Sequence, residues 1–544
     1  MKFFSVTLFL LHVFKNTTSC AALSKATDPA SLTSPSRDLM NVARAARWYE
    51  LGEGVGSENS DEKTGHCVAT SVDGQILAVS SPLYKSGNNI DAGRVRVYGF
   101  DPIHDKWIPM GSDIIGPEFS QSGSALAMAA DGKTLIVGMP NHDNDSGKEA
   151  GTIKVYSFEN LGGTGEEEWV QKGPTLIGFD DYAHFGAAVA ISNDGRKIAV
   201  GSPTEGAVFE QGKIGTEAGT VNVYEYEYTA DDWYEYGYPL VGSETYGHFG
   251  AAVGLDFDGK NLVVGAPDHG PYNAGLVRFF HFNETTRLYD DAGDMPAMAL
   301  GDRFGATVDM SLDGRTVIAG APMHKGSDVK THSGHARVFE RTDYSDVNPT
   351  VIEWKRKGRS LIGLDEGDQA GTSVSVSSDG NIVAVGSAYS DKMGKNSGRI
   401  TLYLWDDIDG WVDMDLNVEG HGPLDYLGTS VSLSQDGTEV AVGAPGGQYA
   451  KIFALRSTQP PTMSPIAFKE ETDIIAKKSK KRVGGFRVFF NILVIALLTI
   501  TCIFGVFKAG QFFMRKMKDG KLEAVPPSDL EMRMKEDGEE GEML

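Results

Sequence analysis

The chain is 544 residues long, with 74 acidic against 50 basic side chains and a formal charge of −24 at pH 7. That balance excludes a nucleic-acid backbone as the partner, because such a contact needs a basic face that displaces counterions, and it predicts a heavily solvated surface. The 3 cysteines exclude a disulfide scaffold, and the 66 glycines, which recur at fixed phases, mark a repeat with many tight turns.

Met1-Lys2, the mostly apolar Phe3 to Phe14 and the small residues Ser19, Cys20, Ala21 and Ala22 read as a secretory signal over 1–21. A segment 22–45 then leads to Trp48-Tyr49-Glu50-Leu51-Gly52, a strand pattern with an aromatic four residues ahead of a Gly. From residue 46 to 456 the chain repeats itself. Asp-Gly pairs begin at Asp73, Asp131, Asp194, Asp258, Asp313, Asp379 and Asp436, a unit of roughly 60 residues that suits a four-stranded propeller blade.

One copy shows the physics. His184-Phe185-Gly186-Ala187-Ala188-Val189 leads through an Asp194-Gly195 hairpin into Ile198-Ala199-Val200-Gly201-Ser202-Pro203, where Gly accepts the positive φ of a tight turn. The second strand is apolar on consecutive residues, so it is expected to be covered on both faces. After a polar loop Gly219 opens a third strand, whose Val221, Val223 and Tyr224 predict a half-exposed element. A fourth strand places Trp107, Trp169, Trp233 and Trp354 four residues before Gly111, Gly173, Gly237 and Gly358, just ahead of an apolar-Gly pair. Tyr289 with Gly293 and Trp411 with Asp415 are variants. The last unit, Leu427 to Leu455, lacks this fourth strand, and the segment at Trp48 supplies it from the other end of the repeat. The expected fold is all-β: a seven-bladed β-propeller of four-stranded blades closed by an N-terminal strand, which removes two sheet edges, plus one transmembrane α-helix.

Within the repeats several side chains are candidates for function. His184 and His248 precede Phe-Gly in adjacent blades and belong near one rim of the ring. The longest loop between a second and a third strand, Thr204 to Ala218, carries Phe209, Glu210 and Lys213; these five are the candidate partner-binding residues, since loops carry specificity on a rigid scaffold. His324, His332 and His335 with Asp328 are placed in one loop as a metal candidate, without the spacing of a zinc motif. Asn144-Asp145-Ser146 and Asn283-Glu284-Thr285 are glycosylation sequons. Cys67, read at the place of Ala187 in its repeat, is a small buried filler. No nucleophile elbow or phosphate loop accompanies these residues, and no catalytic set is assigned.

Past the repeats, a stalk over 457–487 contains Pro460, Pro461 and Pro465 and a basic run from Lys477 to Arg482. Residues 488–507 are uncharged, and 20 residues at about 1.5 Å each cross a bilayer core. The flanking basic residues are nearly balanced, so the signal sequence sets the orientation: propeller lumenal or extracellular, and 508–544 cytosolic. That tail ends acidic, with Glu539 and Met543-Leu544 loosely resembling an acidic dileucine sorting signal.

Phe185-Gly186, Phe249-Gly250 and Phe304-Gly305, with Gly265-Ala266-Pro267, Gly320-Ala321-Pro322 and Gly443-Ala444-Pro445, resemble the FG-GAP repeats of integrin alpha-chain propellers and related single-pass membrane proteins. The resemblance spans about residues 46–456. The nearest rival, a WD-type propeller, has a shorter unit of about 40–45 residues. The resemblance implies partner binding on the face of the long loops. It also raises calcium, which the family binds on its first hairpin. Here only Asp309, Ser311 and Asp313 fill the three early ligand positions, Val317 takes the late one, and Asp256 with Asp258 is a poorer set. These residues are read as turn formers, with no cofactor.

The functional expectation is a type I membrane glycoprotein of the cell surface or the secretory and endosomal pathway, whose propeller binds a protein or glycan as receptor, adhesion molecule or sorting protein. A carbohydrate-active enzyme using a propeller cleft, or a structural subunit of a membrane complex, are the alternatives.

Overall fold

Each Asp-Gly hairpin is held by its own side chains. In the first, the Ser71 hydroxyl donates to Asp73 Oδ1 (2.7 Å), which also accepts from the Gln75 amide (3.1 Å), and Ser71 Oγ accepts from the Ile76 amide (2.9 Å). The same bonds recur at Ser192 with Asp194, Ser311 with Asp313, Ser377 with Asp379 and Ser434 with Asp436. An Asx-type turn of this kind fixes where a strand reverses, so repeating it repeats the blade.

A computed structural model describes residues 46–457, apart from 58, 60, 161–164, 209–213, 326–330, 343–352 and 417. These residues form seven antiparallel blades in a ring, a seven-bladed β-propeller. Blade 3, for example, runs outward through Ala188–Ile191, Lys197–Ser202, Thr220–Glu227 and Asp232–Glu235. The last blade takes Ser430–Leu433, Glu439–Ala444 and Tyr449–Ser457 from the end of the repeat and Ala46–Glu50 from its start. Ala46 pairs with Ser457 and Glu50 with Phe453, antiparallel. The expected N-terminal closure is therefore present. The expected signal sequence, the segment 22–45 and everything after Ser457, including the expected membrane span, lie outside the described residues; among those described, no helix is long and apolar enough to cross a membrane.

Two sets of contacts weld the blades into a ring. Near the axis, the second-strand Gly of blades 2 to 7 meets the Gly that opens the next blade; blade 1 has Ser80 at that place. A Cβ on Gly138, Gly201, Gly265, Gly320, Gly386 or Gly443 would strike the carbonyl oxygen of Gly186, Gly250, Gly305, Gly371, Gly428 or Gly65 respectively. The last of these pairs joins blade 7 to blade 1. At the outer edge, the fourth-strand Trp reaches back to the previous blade: the indole N–H groups of Trp107, Trp169, Trp233 and Trp411 donate to the carbonyls of Leu51, Met110, Lys172 and Lys357 at 2.8–3.1 Å. Each acceptor immediately precedes a Gly on which the indole lies. Among the described residues the indole nitrogens of Trp48, which faces the blade carrying Asp415 in place of that Gly, and of Trp354 have no partner.

Three details differ from the sequence reading. The third strand of blade 3 is not half exposed: only Glu227 in Thr220–Glu227 is exposed, because Tyr224 and Tyr226 pack with blade 2 while Val221 and Val223 pack with blade 4. The apolar-Gly pairs after the fourth strand form short strands of their own, such as Ile114–Ile115 and Leu240–Val241, which pair with the start of the third. Cys67 stands level with Ala188, not Ala187, since Val68 pairs with Val79 as Val189 does with Val200. Its thiol donates to the Ser124 carbonyl (3.2 Å), and burial pushes its pKa up to about 12, as suits an inert filler.

The axial glycine contact leaves no room for a side chain. Gly443→Ala is expected to cost about 3 kcal/mol of stability, because both sides of the clash are backbone and cannot rotate away. Gly99→Ala, where a Cβ would meet nothing within 4 Å, is the control and should be near neutral. Denaturant midpoints of the two variants, measured side by side, check this.

Candidate functional site

The loops between second and third strands emerge on one face, together with the segments that enter each blade. Parallel bridges tie the two sets across blade boundaries: Gly93 to Ser122, Gly151 to Phe185, Gly275 to Phe304, Gly334 to Ala370 and Gly398 to Leu427. The hairpins occupy the opposite face, where amides bond from one blade to the next, as from Val72 to Ala130 (3.0 Å), Asn193 to Phe257 (3.0 Å) and Gln435 back to Val72 (2.8 Å). Toward that face an axial cavity of about 200 Å³ is lined by the ends of the first strands and by hairpin residues such as Val72, Asn193 and Gln435.

The entry segments have an unusual backbone. Phe119 and Gln121, Tyr182 and His184, Tyr246 and His248, and Leu424 and Tyr426 all have φ between 51° and 66°. Side chains rarely adopt this left-handed conformation, and its recurrence in non-glycine residues marks a built feature. It throws the first residue of each pair outward: Phe119, Tyr182, Tyr246 and Leu424 are 57%, 48%, 55% and 50% exposed. Tyr272, Leu364 and Tyr389, in the same set of loops, are exposed too.

The second residue of each pair points back and ties blades together. His184 and His248 do occupy equivalent places, as the repeat predicts. His184 Nδ1 pairs with Thr204 Oγ1 (2.6 Å) and Nε2 with Glu149 Oε2 (3.3 Å); the Thr204 hydroxyl donates onward to the Tyr182 carbonyl (2.6 Å). His248 Nδ1 pairs with Asp268 Oδ2 (2.7 Å) and Nε2 with Glu217 Oε2 (3.1 Å). Arg303, at the same place one blade on, also binds Asp268 Oδ2 (2.7 Å). The Asp268 carboxylate raises the His248 pKa above its ordinary value, against burial, and Glu217 adds to the rise. Burial alone would raise Asp268, but His248 and Arg303 hold it low.

Blade 5 gathers a second cluster. Asp302 from the entry segment, His324 from the loop after the second strand and His335 at the head of the third strand each offer one ligand atom, all within 4.8 Å of one another. His324 Nδ1 pairs with Asp302 Oδ1 (2.9 Å), and the two imidazole rings meet edge to face at 4.1 Å. Sequence reasoning named His324 and His335 but grouped them in one loop with His332 and Asp328. His335 instead begins a strand, His332 is exposed, and Asp328 lies outside the described residues. Asp302 was missed. Its signal is the acid three residues before the blade-opening Gly, a place shared by Glu62, Asp368 and Asp425.

The other sequence candidates fall as follows. Phe209, Glu210 and Lys213 lie outside the described residues, beyond a short hairpin of Ala207–Val208 with Ile214–Gly215. Asp309, Ser311 and Asp313 are engaged separately. Asp309 Oδ2 accepts from the Val376 amide (2.9 Å) and the Ser375 hydroxyl (3.0 Å) of blade 6, and burial raises its pKa to about 6, while Ser311 and Asp313 bond each other in the hairpin. Asp309 is therefore a strand residue facing the axial cavity, not a turn former. Asn144 commits its amide nitrogen to the Gly151 and Gly178 carbonyls on the loop face (2.8 and 3.3 Å); Asn283, in a turn on the opposite face, donates only to Asp290 (2.8 Å) among the described residues.

Fold and face together define a propeller with a loop rim that is apolar outside and ion-paired within. No protein-family model and no curated protein matches the chain.

The His248 pair should leave a pH signature. Its folded pKa lies above the unfolded value of 6.5, so its stabilisation is fully present below pH 6.5 and is lost as pH rises through the folded value. The stability gap between the protein and His248→Gln is expected to be widest at pH 6 and to shrink by pH 9. A gap independent of pH would show that the imidazolium plays no part.

Proposed function

We propose that the chain is a type I membrane protein whose lumenal or extracellular propeller binds a partner through its loop face, in a receptor, adhesion or sorting role. The observation that carries this reading is the rim of exposed Phe119, Tyr182, Tyr246 and Leu424, set at repeat-equivalent positions on left-handed backbone. Large rigid apolar side chains with few rotamers give contact area at low entropic cost, and clustered exposure of this kind marks binding surfaces. Such a rim favours a protein over a glycan. The phased Phe-Gly and Gly-Ala-Pro copies support placing the chain with FG-GAP propellers, and the uncharged run 488–507 supports the anchor.

The test uses the full-length chain in its own membranes, crosslinked from outside and captured by a C-terminal tag. A partner recovered with the native chain should fall roughly tenfold or more with Phe119→Ser, Tyr182→Ser and Tyr246→Ser combined. Equal recovery would exclude the rim as the binding face, and loss after deglycosylating the membranes would identify a glycan instead.

Orientation is tested separately. A glycan on Asn283, detected as an endoglycosidase-sensitive mobility shift absent from Asn283→Gln, is expected alongside a C-terminal tag open to cytosolic protease only. Protection of that tag would reverse the topology.

A further inference from the structure

We infer that Asp302, His324 and His335 of blade 5 form a binding site for a zinc-type divalent ion, independent of the partner-binding reading above. The first support is convergence. The three residues come from three separate segments of one rigid blade and bring one ligand atom each within 4.8 Å of the others. Ligands on one tetrahedral zinc, with bonds of about 2.0–2.1 Å, stand roughly 3.3 Å apart. The widest pair therefore closes by at most about 1.5 Å, within reach of side-chain rotation.

The second support is His335 itself. It is fully buried, and among the described residues neither ring nitrogen has a hydrogen-bond partner. Native proteins rarely strand both nitrogens of a buried imidazole, and the cost of doing so is removed if one binds a metal.

The third support comes from comparing blades. At the same three positions blade 1 has Glu62, Tyr84 and Arg94. There the buried acid is neutralised internally, by a Glu62 to Arg94 ion pair of 3.0 Å, with the guanidinium 4.1 Å over the Tyr84 ring. In blade 5 the His335 imidazole stands where that arginine would be. Asp302, 1% exposed, keeps a bond from the Ala299 amide (3.0 Å) and its pairing with His324. The nearest guanidinium, Arg337, is turned to the Phe304 ring (3.9 Å) and the Pro296 carbonyl (3.0 Å). The pocket thus retains an acid and two imidazoles where blade 1 has a closed ion pair.

The donor set selects the metal. Calcium takes six to eight oxygen ligands, whereas two imidazoles and one carboxylate suit zinc and its neighbours. Three protein ligands leave one tetrahedral position for water. Because His324 and His335 bracket the loop between second and third strands, the ion would clamp the base of that loop to the entry segment.

The experiment is metal reconstitution of the purified full-length chain in detergent, stripped with chelator and then titrated with Zn²⁺ or Co²⁺. Expected results are one zinc per chain, visible cobalt d–d absorption of low-coordinate type displaced by zinc, and a zinc-dependent rise in melting temperature. His324→Ala, at a partly exposed position, should weaken zinc binding at least tenfold and abolish the cobalt bands, with His335→Gln as a second variant. Should His335→Gln fail to fold, His324→Ala decides alone. No bound zinc after reconstitution, or unchanged affinity in His324→Ala, overturns the site.

Discussion

Backbone packed directly on backbone at the blade boundaries is the constraint on which the rest of the structure depends. Where Gly265 meets Gly305, or Gly443 meets Gly65, a methyl group would already overlap a carbonyl oxygen. Closing a ring of twisted sheets brings their inner edges together, and glycine is the residue that lets the chains approach that far. The two glycines of each pair belong to different blades and to the two ends of the repeat motif, as Phe304-Gly305 and Gly265-Ala266-Pro267 show. What looks in sequence like one repeating signature is thus the two sides of a joint.

The outer latch works on the same logic with different chemistry. A Trp in the fourth strand lies on a Gly of the preceding blade and donates its indole proton to the carbonyl beside it. Sheet interiors bury the second and third strands from both sides, so the aromatic outer strands supply cover as well as linkage. With both edges of each blade fixed, the entry segments hold left-handed residues that a looser scaffold would relax. The exposed rim and the ion-paired layer beneath it follow from that rigidity. Blade 5 differs from blade 1 at one point, where the His335 imidazole stands at the place of the acid-pairing Arg94.

Much of this was legible beforehand. The Asp-Gly phase gave the blade length, and the missing fourth strand after Leu455 placed Trp48 in the last blade, because a tandem array displaced by one strand leaves a visible deficit at one end and a surplus at the other. His184 and His248 were recognised as equivalent for the same reason. The rim residues were not, since Phe119, Tyr182 and Leu424 share a place in the repeat but differ in type, and their left-handed backbone and exposure appear only in the structure. Asp302 escaped because it lies 22 residues from its partner His324, in a segment that reads as a loop. Asp309 read as a turn former, yet it is a strand residue that bonds to blade 6, a contact between units that no single repeat reveals.

Sequence alone determined the class of fold, the number of blades and the way the ring closes, because these rest on periodic glycines, turns and aromatics whose effects are local and repeated. Tertiary structure decided which side chains face each other across blades and which are left without partners. Those relations depend on the ring bringing together segments that are unrelated along the chain, and the chemistry of a site depends on a few ångströms that periodicity does not encode.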